Sequence, residues 1–162
     1  MRRILLTVIL PAGLLAVVAG GIALATPGSG ITTVNLSVGR FGPIDVKTET
    51  ETHEVELRTR GDSDVYVVSN TFAPGGSSGW HTHPGPSLIT VKSGTITAYE
   101  GDDPTCTPHI YHAGEGFVDP GGDHVHLLRN ETDSPAETIA VQLLPAGAPR
   151  RIDAPDPGNC PF

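Results

Sequence analysis

Four of the seven histidines in this chain of 162 residues lie in two closely spaced pairs. His81 and His83 are separated by one residue, and His124 and His126 are separated in the same way. Alternate residues of a β-strand point to the same face, so each pair offers two imidazole rings on one side. Neutral imidazole binds iron, copper, zinc and nickel well. The pairs therefore predict a site for a divalent transition metal; the alternative is that the rings are exposed or hydrogen-bonded.

Short β-strands must position these pairs, because the chain after residue 25 shows no helical periodicity. The sequence contains 20 glycines and 15 prolines, and the runs between them are rich in Val, Ile, Thr and Tyr. Many short strands separated by turn residues predict an all-β sandwich or closed barrel. The segment 101–114 is predicted to be a loop and the tail from residue 145 to be irregular. The predicted strands are 31–38, 50–57, 65–72, 88–92, 95–100, 116–119, 125–129 and 138–144.

Alternation along the strand that carries the second pair predicts which of its side chains point inward. We expect Arg129 to face solvent, and Val125 and Leu127 lie in the same phase. The residues of the opposite phase, which are expected to point into the interior, are His124, His126, Leu128 and Asn130.

Both histidine pairs lie in segments that resemble the two sequence motifs of the cupin superfamily. The first motif is a glycine, five residues, His-x-His, three or four residues, Glu, six residues and Gly, and its positions fall on Gly75, His81, His83, Ser87 and Gly94. The second is a glycine, five residues, Pro-x-Gly, two residues, His, three residues and Asn, and its positions fall on Gly114, Pro120, Gly122, His126 and Asn130. The resemblance covers residues 74 to about 130. It implies a single cupin-type jelly-roll β-barrel with a metal bound inside by motif residues.

Ser87 stands where the first motif has its glutamate. A serine hydroxyl is a poor metal ligand, so we expect Ser87 to lie near the site without coordinating. A set of histidines alone is neutral and leaves the full charge of the metal for an anionic ligand. It also disfavours manganese, which prefers oxygen donors. We therefore expect an open position that water or a small anionic molecule fills.

The second motif carries one extra residue between Pro120 and its histidine, so the usual spacing falls on Val125. His126 keeps the three-residue spacing to Asn130 and is therefore the expected third ligand, with His81 and His83. His124 is either a fourth ligand or a residue that contacts one of the ligands without binding the metal itself.

Two cysteines, Cys106 and Cys160, are expected to form a disulfide, because an even count in an exported chain favours a bridge. The alternative is two free thiols. The bridge would join the tail to the loop in the middle of the domain.

Residues 1–25 have the pattern of a secretory signal peptide. Two arginines form a basic head, an apolar run follows, and Ala23-Leu24-Ala25 is a small-x-small cleavage signal. We expect cleavage after Ala25, which would leave a barrel domain of residues 26–162 outside the cytoplasm. The alternative is an uncleaved membrane anchor, since the run is long enough to span a bilayer.

The net charge is −8 for the whole chain. Cleavage after Ala25 would make it −10, because two arginines and no acidic residue would be lost. This charge disfavours nucleic acid and anionic membrane surfaces as partners. Two lysines against eight arginines hint at a GC-rich bacterial source.

Three functions fit these observations. The first is a secreted binding module, in which the barrel holds a small ligand through the metal. The second is a metal-dependent enzyme acting on a small molecule, similar to dioxygenases that resemble cupins, although no catalytic acid or base is identified. The third is a structural exported protein with a vestigial site. Cupins often dimerise through edge strands, which extends to this chain only by analogy.

Overall fold

The computed structural model describes residues 25–162, so the predicted signal segment lies outside the described residues except for Ala25. The described part of the chain is built from strands and turns, and no helix within it is long and apolar enough to cross a membrane. The strands are β1 (Ser29–Phe41), β2 (Asp45–Glu49), β3 (Glu54–Arg58), β4 (Ser63–Ser77), β5 (His81–Thr82), β6 (Ser87–Ser93), β7 (Thr95–Glu100), β8 (His109–His112), β9 (Gly116–Asp119), β10 (His126–Arg129), β11 (Ala136–Pro145) and β12 (Ile152–Asp153).

Ten of these strands form one antiparallel sheet that closes almost completely into a barrel. Its main path runs β12-β5-β10-β4-β11-β6-β9; β1 pairs with β4, β7 pairs with β10, and β8 pairs with β7. The remaining strands, β2 and β3, pair only with each other. The predicted all-β fold, a single jelly-roll barrel, is thereby confirmed.

The interior of the barrel changes from apolar to polar along the strands. At one end Phe72 and Val91 are buried in an apolar cluster, and Val68 and Ile89 lie in the next layer. Successive inward positions on one strand are two residues apart, and two residues before Ile89 the inward position is Ser87, which is fully buried. The apolar core therefore fills one part of the barrel and leaves the polar part for a site.

A second apolar cluster lies on the outer side of β10, and it corrects the prediction that this side faces solvent. Leu127 is only 3% exposed and packs with Trp80, Tyr99 and Ala154. Cys106, Val125 and Cys160 pack against the same cluster. The C-terminal tail and the loop after β7 cover this face, so the opposite phase of the strand is also buried.

The Cys106–Cys160 disulfide holds this cover in place. The two sulfurs are bonded and the Cα atoms lie 5.2 Å apart, so the predicted bridge is confirmed.

Three local predictions were wrong because they depended on pairing between distant segments. The predicted strand 50–57 is a turn followed by β3, since residues 45–49 form its partner strand. The predicted loop 101–114 contains β8, which pairs with β7. The tail predicted to be irregular contains β12, which pairs with β5 about 70 residues earlier in the chain.

Candidate metal centre

Three histidines from two paired segments converge inside the barrel. His81 opens β5, His83 follows this strand directly, and His126 opens β10 as the backbone partner of His81. Each offers a ring nitrogen within 4.8 Å of the others. All three are buried, with 3–5% of their surface exposed. The structure therefore brings together the three residues that the sequence singles out as ligands.

In two of these rings, a hydrogen bond to a backbone carbonyl determines which nitrogen carries the proton. His81 Nδ1 lies 2.9 Å from the carbonyl oxygen of Gly79, and His83 Nδ1 contacts the carbonyl oxygen of Arg150. A carbonyl oxygen only accepts hydrogen bonds, so both Nδ1 atoms carry the proton. The Nε2 atoms of both rings then carry no proton, an arrangement common in metal-binding histidines.

Burial keeps all three rings neutral. Loss of hydration lowers the pKa of His81 well below its ordinary value, and the nearby His126 ring lowers it further. The pKa of His83 is lowered by the same cause. Burial lowers the pKa of His126 to about 4, although the Asp119 carboxylate opposes this shift. Neutral imidazole is the form that binds metals, so the rings are in their ligating form at neutral pH.

Asp119, which sequence reasoning missed, ends β9 beside the three rings and is 2% exposed. Its Oδ1 atom accepts hydrogen bonds from Gly121 N at 3.0 Å and His124 Nδ1 at 3.2 Å. The same oxygen lies 3.5 Å from His126 Nδ1. Its Oδ2 atom lies 3.9 Å from His83 Nε2 and has no hydrogen-bond partner among the described residues.

His124 lies beside the three-histidine group, contrary to the expectation that it points inward with His126. β10 begins only at His126, so strand alternation does not extend back to His124. The His124 ring is half-buried between two carboxylates, with Nε2 2.8 Å from Glu100 and Nδ1 3.2 Å from Asp119. His124 is therefore outside the three-histidine group, but its ring nitrogen lies within 4.8 Å of ligand atoms of Asp119 and His126, which makes these three residues a second, adjoining set of possible metal ligands.

Ser87 lies at the site as expected, fully buried on β6. Its hydroxyl oxygen accepts a hydrogen bond from Gln142 Nε2 at 3.1 Å. The Gln142 amide nitrogen also approaches the His83 ring, 3.2 Å from Nδ1 and 3.4 Å from Nε2. Gln142 is thus a second polar residue of this layer that the sequence did not reveal.

Asn130 is buried as expected but acts in a turn away from the three rings. Its side-chain nitrogen donates to the carbonyl oxygens of Phe72, Ala73 and Ser134 at 3.2, 3.2 and 2.8 Å. Its Oδ1 atom accepts from the Thr132 amide at 3.1 Å. The motif asparagine therefore closes the turn after β10.

A cavity of about 230 Å³ adjoins the three histidines, and two arginines contribute to its wall. Arg150 Nη1 donates to Gln142 Oε1 at 3.1 Å, while Arg151 Nε is paired with Asp153. The Arg151 Nη2 atom is buried and has no partner among the described residues. Burial, and then the neighbouring Arg151, lower the pKa of Arg150. The only sequence signal for this positive wall was an Arg-Arg pair in an otherwise acidic tail.

Residues 68–142 match a family model described as a cupin domain. The matched segment contains the three histidines, Asp119 and Gln142. Among curated proteins, none matches the sequence.

Several solved structures resemble the chain. One is an oxalate oxidase, 26% identical over 48% of this chain and 41% of that one, with a TM-score of 0.43. A protein with a double-stranded β-helix domain from Klebsiella pneumoniae is 24% identical over 70% of this chain and 84% of that one, with a TM-score of 0.48. The polyketide cyclase RemF from Streptomyces resistomycificus is 19% identical over 57% of this chain and 64% of that one, with a TM-score of 0.47. This chain thus spans less than half of the oxalate oxidase chain.

Proposed function

We propose that this chain, whose residues 68–142 match the cupin domain model, binds a divalent transition metal, iron, copper, zinc or nickel, through His81, His83 and His126. The observation that carries this proposal is the convergence of three buried, neutral rings. Unpartnered polar atoms inside a barrel are costly. Both His126 Nδ1 and Asp119 Oδ2 lack partners among the described residues, which a bound cation would remedy.

We further propose that the metal presents a small anionic ligand to the barrel. Arg150 and Arg151 bring two positive charges to the cavity wall, and the unpartnered Arg151 Nη2 atom offers a free donor. Guanidinium groups suit carboxylate and phosphate oxygens. The cavity of about 230 Å³ is smaller than the pockets that hold drug-sized ligands, which begin near ~300 Å³. A small carboxylate or phosphate fits these features.

A metal-dependent enzyme is the second candidate, and the cavity beside the histidines favours it over a vestigial site. Catalytic zinc sites typically have three protein ligands and an open position, whereas structural sites are closed. The bound metal would act as a Lewis acid or redox centre. In either case the protein's own residues hold the ligand: the three histidines through the metal and the two arginines through its charge.

We also propose that the protein works outside the cytoplasm. The disulfide is consistent with an oxidising compartment, and the apolar N-terminal run agrees with export. The acidic charge leads us to expect neither nucleic acid nor an anionic membrane as a partner.

Metal analysis and anion titration test this function together. The chain is purified without a histidine tag, stripped with a chelator and reloaded with Zn²⁺; we expect one ion per chain. Formate, acetate and phosphate are then titrated into the loaded protein. Arg151→Gln should lower the affinity of the loaded protein for the anion that binds by about 10-fold or more, because a charge-assisted hydrogen bond contributes about 1.5–3 kcal/mol.

The matched control is Arg60→Gln, which removes the same charge from an exposed position. Equal anion affinity in the wild type and the Arg151 variant would contradict the anionic ligand. Failure to bind Zn²⁺ would contradict the metal site.

A further inference from the structure

We propose that Asp119 is the carboxylate ligand of this metal centre and takes the place of the motif glutamate whose position Ser87 occupies. This inference rests on the proposed metal site and names a fourth protein ligand for it. It replaces the expectation of a site built from histidines alone.

The strand register places Asp119 at the level of the missing glutamate. β6 and β9 pair in antiparallel fashion, and Ser87 lies directly opposite Asp119. Directly opposed residues have Cβ atoms about 4.5–5.5 Å apart and share one face of the sheet. Both side chains are buried inside the barrel, with 0% and 2% of their surface exposed. A carboxylate displaced from β6 to the neighbouring strand therefore stays in the same layer.

The two oxygens of Asp119 have different environments. Oδ1 is held by Gly121 N and His124 Nδ1, at 3.0 and 3.2 Å, and has His126 Nδ1 3.5 Å away. These contacts fix the direction of the carboxylate. Oδ2 has no hydrogen-bond partner among residues 25–162 and lies 3.9 Å from His83 Nε2. The free oxygen thus lies beside the ring nitrogen that carries no proton in the His83 tautomer.

The distance fits two ligands of one ion after a small movement. Asp119 Oδ2 and His83 Nε2 lie 3.9 Å apart. With bonds of about 2.1 Å, neighbouring ligand atoms of a tetrahedral or octahedral ion lie about 3.0–3.4 Å apart. The carboxylate needs to approach His83 by less than about 1 Å, and a ligand atom of Asp119 already lies within 4.8 Å of ligand atoms of His126 and His124.

A carboxylate in the set changes the preference for metals. Imidazole suits zinc, copper, iron and nickel, while carboxylate oxygen extends the range to manganese. If the carboxylate only formed a hydrogen bond to the His126 ring and did not contact the metal, its loss would lower the affinity for all metals alike, by about 10-fold to 100-fold. The loss of Mn²⁺ affinity relative to Zn²⁺ affinity therefore distinguishes a ligand from a supporting group.

The test compares the wild-type chain, Asp119→Asn and Asp133→Asn, stripped of metal and titrated separately with Mn²⁺ and Zn²⁺. Asp133 is exposed, so its variant is a control for the lost charge. Mn²⁺ binding is followed by electron paramagnetic resonance and Zn²⁺ binding by competition with a chelating dye. We expect Asp119→Asn to lose Mn²⁺ affinity by more than about 100-fold and by at least about 10-fold more than its loss of Zn²⁺ affinity.

Equal losses for the two ions, or no loss, would overturn the inference while leaving the histidine site intact. A wild-type chain that binds neither ion would overturn the proposed function itself. If Asp119→Asn does not fold, a crystal of the Zn²⁺-loaded wild type decides the question. The inference requires Asp119 Oδ2 within about 2.2 Å of the ion, and an oxygen beyond about 3 Å contradicts it.

Discussion

The neutral state of the three buried histidines has a consequence for stability. An unfolded histidine has a pKa of about 6.5, whereas burial lowers the pKa of His126 to about 4 and lowers that of His81 and His83 as well. Between pH 6.5 and 4 the unfolded chain therefore binds more protons than the folded chain. The free energy of unfolding must fall as the pH falls through this range.

We expect the metal-free protein to be less stable at pH 5 than at pH 7.5 by about 1–3 kcal/mol. Urea unfolding at the two pH values measures the difference. His126→Ala should reduce the dependence, because it removes one of the depressed groups. A wild-type free energy of unfolding that is constant from pH 7.5 to 5 would show that the rings are not buried as described.

The four histidines are expected to differ in how much each contributes to metal affinity. Alanine at His81, His83 or His126 should abolish tight Zn²⁺ binding, since each change removes a ligand. His124→Ala should weaken binding by about 10-fold to 100-fold, because His124 contacts Asp119 and not the centre of the site. Competition titrations measure both effects. If His124→Ala matched the loss in His83→Ala while His126→Ala bound normally, the assignment of the third ligand would be wrong.

At the scale of elements, the site depends on where strands begin. The spacing of His81 and His83 was enough to predict that they act together. The three-residue spacing to Asn130 favours His126 over His124, and the start of β10 at His126 gives the physical reason why the strand alternation does not include His124.

Strand pairing explains what the sequence could not show. Asp119 reaches the site because β9 lies opposite β6, and a register between strands about 30 residues apart leaves no local signal. Arg151 reaches the cavity because the tail returns to pair β12 with β5. The outer face of β10 looked like a solvent face because its cover, the tail and its disulfide, comes from distant parts of the chain.

The structural role of the disulfide can be tested, because the bridge holds the C-terminal tail over the outer face of β10. Replacing both Cys106 and Cys160 by serine should lower the free energy of unfolding by about 2–4 kcal/mol, since the bridge restricts the unfolded chain. Loosening of the tail should also expose Trp80, the single tryptophan, which is 2% exposed in the folded protein. Urea unfolding and the wavelength of tryptophan emission measure both effects. Unchanged values in the double variant would contradict a structural role for the bridge.

At the scale of the whole molecule, the apolar core and the candidate metal site occupy different ends of the barrel. Phe72, Val91 and Ile96 form an apolar cluster at one end, and the histidines occupy the polar end beside Arg150 and Arg151. The net charge of −8 surrounds a cavity with a positive wall, so an anionic ligand would be attracted only at close range. The homodimer suggested by analogy stays a prediction that light scattering can measure.

The predicted processing after Ala25 concerns the whole molecule as well. Thr26 would become the first residue, and its hydroxyl oxygen accepts a hydrogen bond from Trp80 N at 2.8 Å while its own amide donates to Ala154 O at 3.1 Å. Processing at this point would retain every residue that contacts the cavity. Intact-mass measurement of exported protein should give an N-terminus at Thr26, and a membrane-bound product starting at Met1 would favour the anchor.

The central claim is that His81, His83 and His126 hold one metal ion inside the barrel. Anomalous diffraction from a crystal of the Zn²⁺-loaded chain, recorded above and below the zinc edge, tests it most directly. We predict one strong peak per chain, about 2.1 Å from a ring nitrogen of each of the three histidines. A peak only at the surface, such as between His124 and Glu100, or no peak in a crystal grown with excess Zn²⁺, would contradict the claim.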